Sequence, residues 1–146
     1  ATGMTAAPPL RARHLPAVRR EDLAGVRAFV AEACRAAGGC PAACEALVLA
    51  ADEVCANVVL HAYPSAAPGP LTVAVARVGD DLLVTATDAG PPFDPTRLPP
   101  VAEPRTLEER SPGGLGWHLV RQVVDAVRYE RLAHGNRVTL VRRAGG

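Results

Sequence analysis

The chain has 146 residues, a net charge of +1, 21% charged and 49% hydrophobic residues. Such a length can bury a core without disulfide staples and suits one domain, and a near-neutral charge excludes strong electrostatic attraction to nucleic acid or anionic lipid. No apolar run nears the roughly 18 residues that a membrane helix needs, and the N-terminus lacks the charged and apolar regions of a signal peptide, so a cytoplasmic protein is expected.

Residues 1–9 are set aside as a disordered N-terminal stretch, and one domain is expected over 10–143. Leu10 to Val18 alternates weakly between apolar and polar residues, and Pro16 interrupts it. That pattern suits an edge strand. Glu21 to Ala37 carries Leu23, Val26, Phe29, Val30 and Ala33 at helical spacing, with acidic residues at its start and Gly38-Gly39 at its end. It predicts a first amphipathic helix. Pro41 is placed to open a second helix and Pro64 to follow its end. On that helix Leu47, Ala51, Val54, Cys55, Val58 and Ala62 share a broad apolar face, while Glu53, Asn57 and His61 line up four apart along its border.

Ser65 to Pro70 is loop material. Leu71 to Val78 and Leu82 to Thr87 both alternate about Gly79-Asp80-Asp81, which predicts an antiparallel hairpin. The prolines after Asp88 end regular pairing, and 95–112 reads as a lid, because long structureless stretches inside a compact domain tend to be functional. Gly113-Gly114-Leu115-Gly116 then opens a third helix over Trp117 to Val127. Two strands, Val127 to Leu132 and Arg137 to Val141, close the chain. The expected fold is an α/β (α+β) two-layer sandwich, a mainly antiparallel mixed sheet with three helices on one face. Neither a P-loop nor a Rossmann fingerprint follows any strand.

Cys34, Cys40, Cys44 and Cys55 lack the paired spacing of a metal site, and small buried thiols on two adjacent helices account for them better. Taken alone, Glu53 and Asn57 read as a solvated helical face and His61 as a structural hydrogen-bonding residue. Asp88 could equally cap a turn, and Gly113 to Gly116 could be a plain helix start. Arg105 and Arg110 in the lid read as solvated charges.

Three separated stretches together carry more: LAADEVCANVVLHAY, VTATDAGPPFDP and PGGLGWHLVRQVVDAVRY. In order and spacing they resemble the asparagine box and the two glycine boxes of the GHKL ATPase superfamily, and most closely its short anti-sigma-factor serine/threonine kinases. The resemblance runs from about Glu21 to Val141. It implies that Asn57 coordinates a Mg²⁺ bridging the phosphates of bound ATP, that Asp88 accepts a hydrogen bond from the adenine amino group, and that Gly90 lets the base approach the backbone. It implies too that Gly113, Gly114, Leu115 and Gly116 bring backbone N–H groups over the phosphates, and that Glu53 is the general base for an incoming serine hydroxyl.

Two departures stand out. Pro91-Pro92 replaces the usual glycine spacing after Gly90, and Asn136-Arg137 stands where family members often have a threonine that helps to hold adenine. Asn136 could substitute there as a hydrogen-bonding group. The function implied is an ATP- and Mg²⁺-dependent kinase acting on an anti-anti-sigma (STAS-type) partner and sequestering a sigma factor, with a homodimer expected. A non-catalytic, nucleotide-dependent partner-binding module on the same fold is the alternative. The catalytic domain of a two-component histidine kinase is disfavoured, since the chain has no room for a dimerising helix hairpin.

Overall fold

The computed structural model describes residues 11–97 and 114–145. The Leu10 start of the first strand, most of the expected lid, Arg105, Arg110 and Gly113 lie outside the described residues. Within them, five strands form one sheet: β1 (Arg11–Leu15), β2 (Leu71–Val78), β3 (Asp81–Asp88), β4 (Ala126–Leu132) and β5 (Gly135–Arg143). Their order is β1-β2-β3-β5-β4, and every neighbouring pair is antiparallel. The sheet is antiparallel at every pairing among the described residues, in keeping with the mainly antiparallel sheet expected.

Alternation decides which face of the sheet is buried. Leu71, Val73 and Val75 of β2 and Leu82, Val84 and Ala86 of β3 point into the core with Val138 and Leu140 of β5, while Thr72, Ala74, Leu83 and Thr85 lie on the other face. Against the buried face pack α1 (Leu23–Ala36), α2 (Pro41–Asn57) and α3 (Gly114–Val123). This is a two-layer α+β sandwich, as the sequence predicts.

The helix ends follow local chemistry. Arg20–Asp22 forms a 3₁₀ turn ahead of α1, and the Asp22 carboxylate accepts the Arg19 N–H at 2.8 Å. Gly38 leaves α1 at φ +89°, a left-handed conformation that a side chain would strain. Pro41 occupies the first turn of α2, and the Cys40 Sγ caps it by accepting the Ala43 N–H at 3.4 Å.

Two boundaries differ from the sequence reading. The third helix stops at Val123, not Val127, because the Asp125 N–H bonds to the Val141 carbonyl at 2.8 Å and draws the chain into β4. The second helix does not continue evenly to Tyr63: after Asn57 it widens into a π-helical turn, Val58–Ala62. Such a turn re-aims the side chains that follow it. The cysteines are all free; Cys34 and Cys55 are buried, whereas Cys40 and Cys44 are only half-buried. Desolvation pushes the Cys34 and Cys55 thiols up to about 12.

Candidate functional site

One cavity gathers the residues that the sequence keeps apart. Asn57, His61 and Ala62 come from the end of α2 and its π turn, and Asp88, Pro91 and Phe93 from the exit of β3. Trp117 comes from α3, and Asn136 and Val138 from β5. Its free interior is small, about 30 Å³, room for a water or two, and it widens towards solvent at its mouth. Its walls are mainly apolar with a few polar groups.

Asn57 lies 5% exposed, and both its amide atoms lack a hydrogen-bond partner among the described residues. The sequence reading put it on the border of the apolar face; packing against α3 and the sheet draws it inside. A buried amide with no partner costs about 1–3 kcal/mol, and such groups usually serve a ligand, an ion or a trapped water. The Trp117 indole N–H, in a residue 2% exposed, is similarly unpartnered. Sequence reasoning missed it, since Trp117 reads as an apolar member of a helix face.

Glu53 is one turn before Asn57. Burial, and secondarily the neighbouring Asp52, push its carboxyl above the usual carboxylate range. Its carboxylate lies where a Cβ on Gly116 would be, so the glycine leaves the space at the first turn of α3 that this carboxylate occupies. Gly114 and Leu115 begin that same turn. N–H groups at a helix start have no intrahelical partner and suit anionic oxygens.

Asp88 ends β3, directly opposite Asn136 of β5. Its Oδ1 accepts the Gly90 N–H at 2.7 Å and the Asn136 Nδ2 at 3.0 Å. Among the described residues these bonds leave Oδ2 for a ligand. Gly90 is pressed against the end of α2: a Cβ there would come within 2.7 Å of the Ala62 Cβ. The Tyr63 hydroxyl bridges the same two segments, donating to the Pro70 carbonyl and accepting the Ala89 N–H at 2.7 Å.

His61 lines the same cavity as Asn57 but at its exposed edge. The π turn carries it to the surface, where its ring stacks on Phe93 with centroids 5.8 Å apart and planes at 27°. Asn136 departs from its expected role as well. It is 3% exposed, and its amide is engaged with the protein rather than free for a base: Nδ2 also donates to the Pro91 carbonyl at 2.9 Å, and Oδ1 accepts the Tyr129 hydroxyl at 2.5 Å. Beyond Phe93, Asp94 and Arg121 hold a 3₁₀ turn, Pro95–Arg97, the described start of the expected lid.

Known proteins bear on this arrangement. The chain is 33% identical over 96 residues to serine/threonine-protein kinase BtrW of Bordetella bronchiseptica, an alignment covering 64% of this chain and 66% of that protein. With serine-protein kinase RsbW of Bacillus subtilis it shares 33% identity over 90 residues, 59% of this chain and 56% of the relative. It thus spans less than two thirds of these curated relatives. Among solved structures, a Mycobacterium tuberculosis protein with RsbU and RsbW domains superposes with a TM-score of 0.63 at 21% identity, covering 92% of this chain and 33% of that one. The Acinetobacter baumannii histidine kinase AdeS gives 0.52 at 10% identity over 94% of this chain and 70% of that one. Residues 16–142 match the histidine kinase-like ATPase domain. With the sheet, the helix pair and the cavity between them all in accord, the chain belongs to the histidine kinase-like ATPase domain family.

Proposed function

We propose that the chain binds ATP with Mg²⁺ and phosphorylates a serine or threonine on an anti-anti-sigma, STAS-type partner. In its other state it sequesters a sigma factor, working as a homodimer in the cytoplasm. The observation that carries this reading is Asn57, a buried amide with no partner among the described residues, in the cavity that Asp88 also lines. A carbonyl oxygen suits a hard cation that keeps most of its waters. Among the described residues no cluster of three or more His, Cys, Asp or Glu is set to hold a metal, so Asn57 would hold Mg²⁺ jointly with phosphate oxygens. When bound, Mg²⁺ neutralises charge on those oxygens.

The residues divide the remaining work. Asp88 Oδ2 accepts the adenine amino group, which a guanine carbonyl would not satisfy, and Gly90 leaves room for the base. The first turn of α3, Gly114 to Gly116, offers N–H donors to the phosphates, helped by the helix dipole; Gly113 belongs to the same proposed loop. Glu53 takes the proton of the partner's hydroxyl as its oxygen bonds to the γ-phosphorus and the bond to the β–γ bridging oxygen breaks, releasing ADP. Half-burial suits that task by raising the basicity of the carboxylate.

The test is thermal unfolding with and without MgATP and MgGTP, on the wild type and on Asp88→Asn and Asn57→Ala, followed by transfer to a STAS-type partner. Selective stabilisation by ATP, lost in both variants, together with a phosphorylated partner, supports the kinase. Stabilisation without transfer leaves the partner-binding module. No shift at saturating MgATP removes both.

A further inference from the structure

The amide of Asn136 is spoken for on every side. Its Nδ2 donates to Asp88 Oδ1 at 3.0 Å, to the Pro91 carbonyl at 2.9 Å and, more weakly, to the Gly90 carbonyl at 3.4 Å. Its Oδ1 accepts the Tyr129 hydroxyl at 2.5 Å, the Phe93 N–H at 3.3 Å and Arg131 Nη1 at 3.4 Å. Acceptors surround one end and donors the other, so the amide can be placed only one way round. Arg131 also donates to the Gly90 carbonyl at 2.8 Å, pinning the backbone that meets Ala62.

This network has a chemical consequence. A carboxylate has two oxygens of equal acceptor strength and can pivot between them. Here Oδ1 is tied by Asn136 and by the Gly90 N–H, on a backbone that β3–β5 pairing already fixes. One oxygen is therefore committed to the protein, and the other has no hydrogen-bond partner among the described residues, on a residue that lines the cavity. The partners that hold it come from β5 and from the turn after β3, with β4 behind them through Tyr129 and Arg131, not from the helix that carries Glu53 and Asn57.

We propose that Asn136, held by Tyr129 and Arg131, is a positioning residue: it orients Asp88 so that Oδ2 alone meets the 6-amino group of adenine, and thereby sets base selectivity without touching the base. The inference rests on the nucleotide reading above and deepens it. Asn136 is thus no stand-in for a base-binding group. It acts one residue further back.

The experiment compares, on the full chain, the affinity for MgATP with that for the Mg²⁺ complex of purine riboside triphosphate, which lacks the 6-amino group. The ratio isolates the bond to Asp88 from the phosphate contacts. The wild type should prefer ATP by about tenfold or more, as for a hydrogen bond to a charged group. Tyr129→Phe, which keeps the ring and removes one donor, should lower the ratio by about threefold, and Asn136→Leu should bring it to within about twofold of unity, with affinity for the analogue unchanged in both. A merely structural role would lower the melting temperature and leave the ratio at its wild-type value; that result in folded Tyr129→Phe overturns the proposal even if Asn136→Leu does not fold. A wild type that binds neither nucleotide overturns the nucleotide reading itself, and this proposal with it.

Discussion

The carboxylate of Glu53 lies in the space that a side chain on Gly116 would need. The two residues are 63 positions apart in sequence, and helix packing brings them together. Because the group in the way is the end of a flexible side chain, Gly116→Ala should displace Glu53 rather than unfold the protein. The alanine should add up to about 1 kcal/mol of helix propensity, while phosphotransfer falls at least about tenfold. Unfolding curves and a transfer assay on the same preparation check it; a marked loss of stability with normal transfer would contradict the contact.

Glu53 also gives a pH signature with a definite sign. Burial raises its carboxyl above the unfolded value, so the folded state favours the protonated form. The resulting penalty is absent below the ordinary carboxylate range, grows as pH rises through the raised value and is complete above it. Glu53→Gln should therefore be more stable than the wild type at neutral pH, with the difference vanishing in acid. Transfer by the wild type should rise with pH through the same window, and the variant should lose about a hundredfold or more. Melting temperatures and rates across pH 4–8 read both.

Asn57 sets stability against binding. Its amide atoms are buried without partners among the described residues, so Asn57→Leu, of the same branched shape, should leave the ligand-free protein equally stable or up to about 2 kcal/mol more so. It should also abolish the gain of about 2.7 kcal/mol expected from a ligand at 100 times its dissociation constant. Urea titration with and without MgATP separates the two effects. A variant that is simply destabilised would mean that the amide has a structural partner after all.

Trp117 is the single tryptophan of the chain and lines the cavity at 2% exposure. Its fluorescence should start blue-shifted and change on titration with MgATP, but not with MgGTP at the same concentration. The change should be lost in Asn57→Leu. Emission indifferent to MgATP while the melting temperature rises would place the ligand elsewhere.

Much of this architecture was legible in the sequence because it rests on periodicity. The alternation of Leu71, Val73 and Val75 and of Leu82, Val84 and Ala86 fixes which side of the hairpin is buried. Leu47, Ala51, Val54, Cys55 and Val58 form the buried side of the second helix as their spacing predicts. Helix starts and stops at Pro41 and Gly38 follow from one residue's backbone chemistry. Less legible were the places where a local rule yields to a distant contact. The π turn after Asn57 has no composition of its own, and the stacking of His61 on Phe93 beside it joins residues 32 positions apart.

Element order, buried faces and the three stretches that carry the family resemblance can be read from local sequence, because each is set by residues within one or two turns or strands of one another. Tertiary structure alone decided how those stretches meet. Asp88 faces Asn136 through β3–β5 register, Glu53 meets Gly116 through helix packing, and Asn57 is buried rather than lateral because α3 and the sheet close over it. Those relationships depend on pairing across 48 and 63 residues of chain. No local spacing encodes them, since a change of one residue in register or a small shift in packing would bring different side chains together.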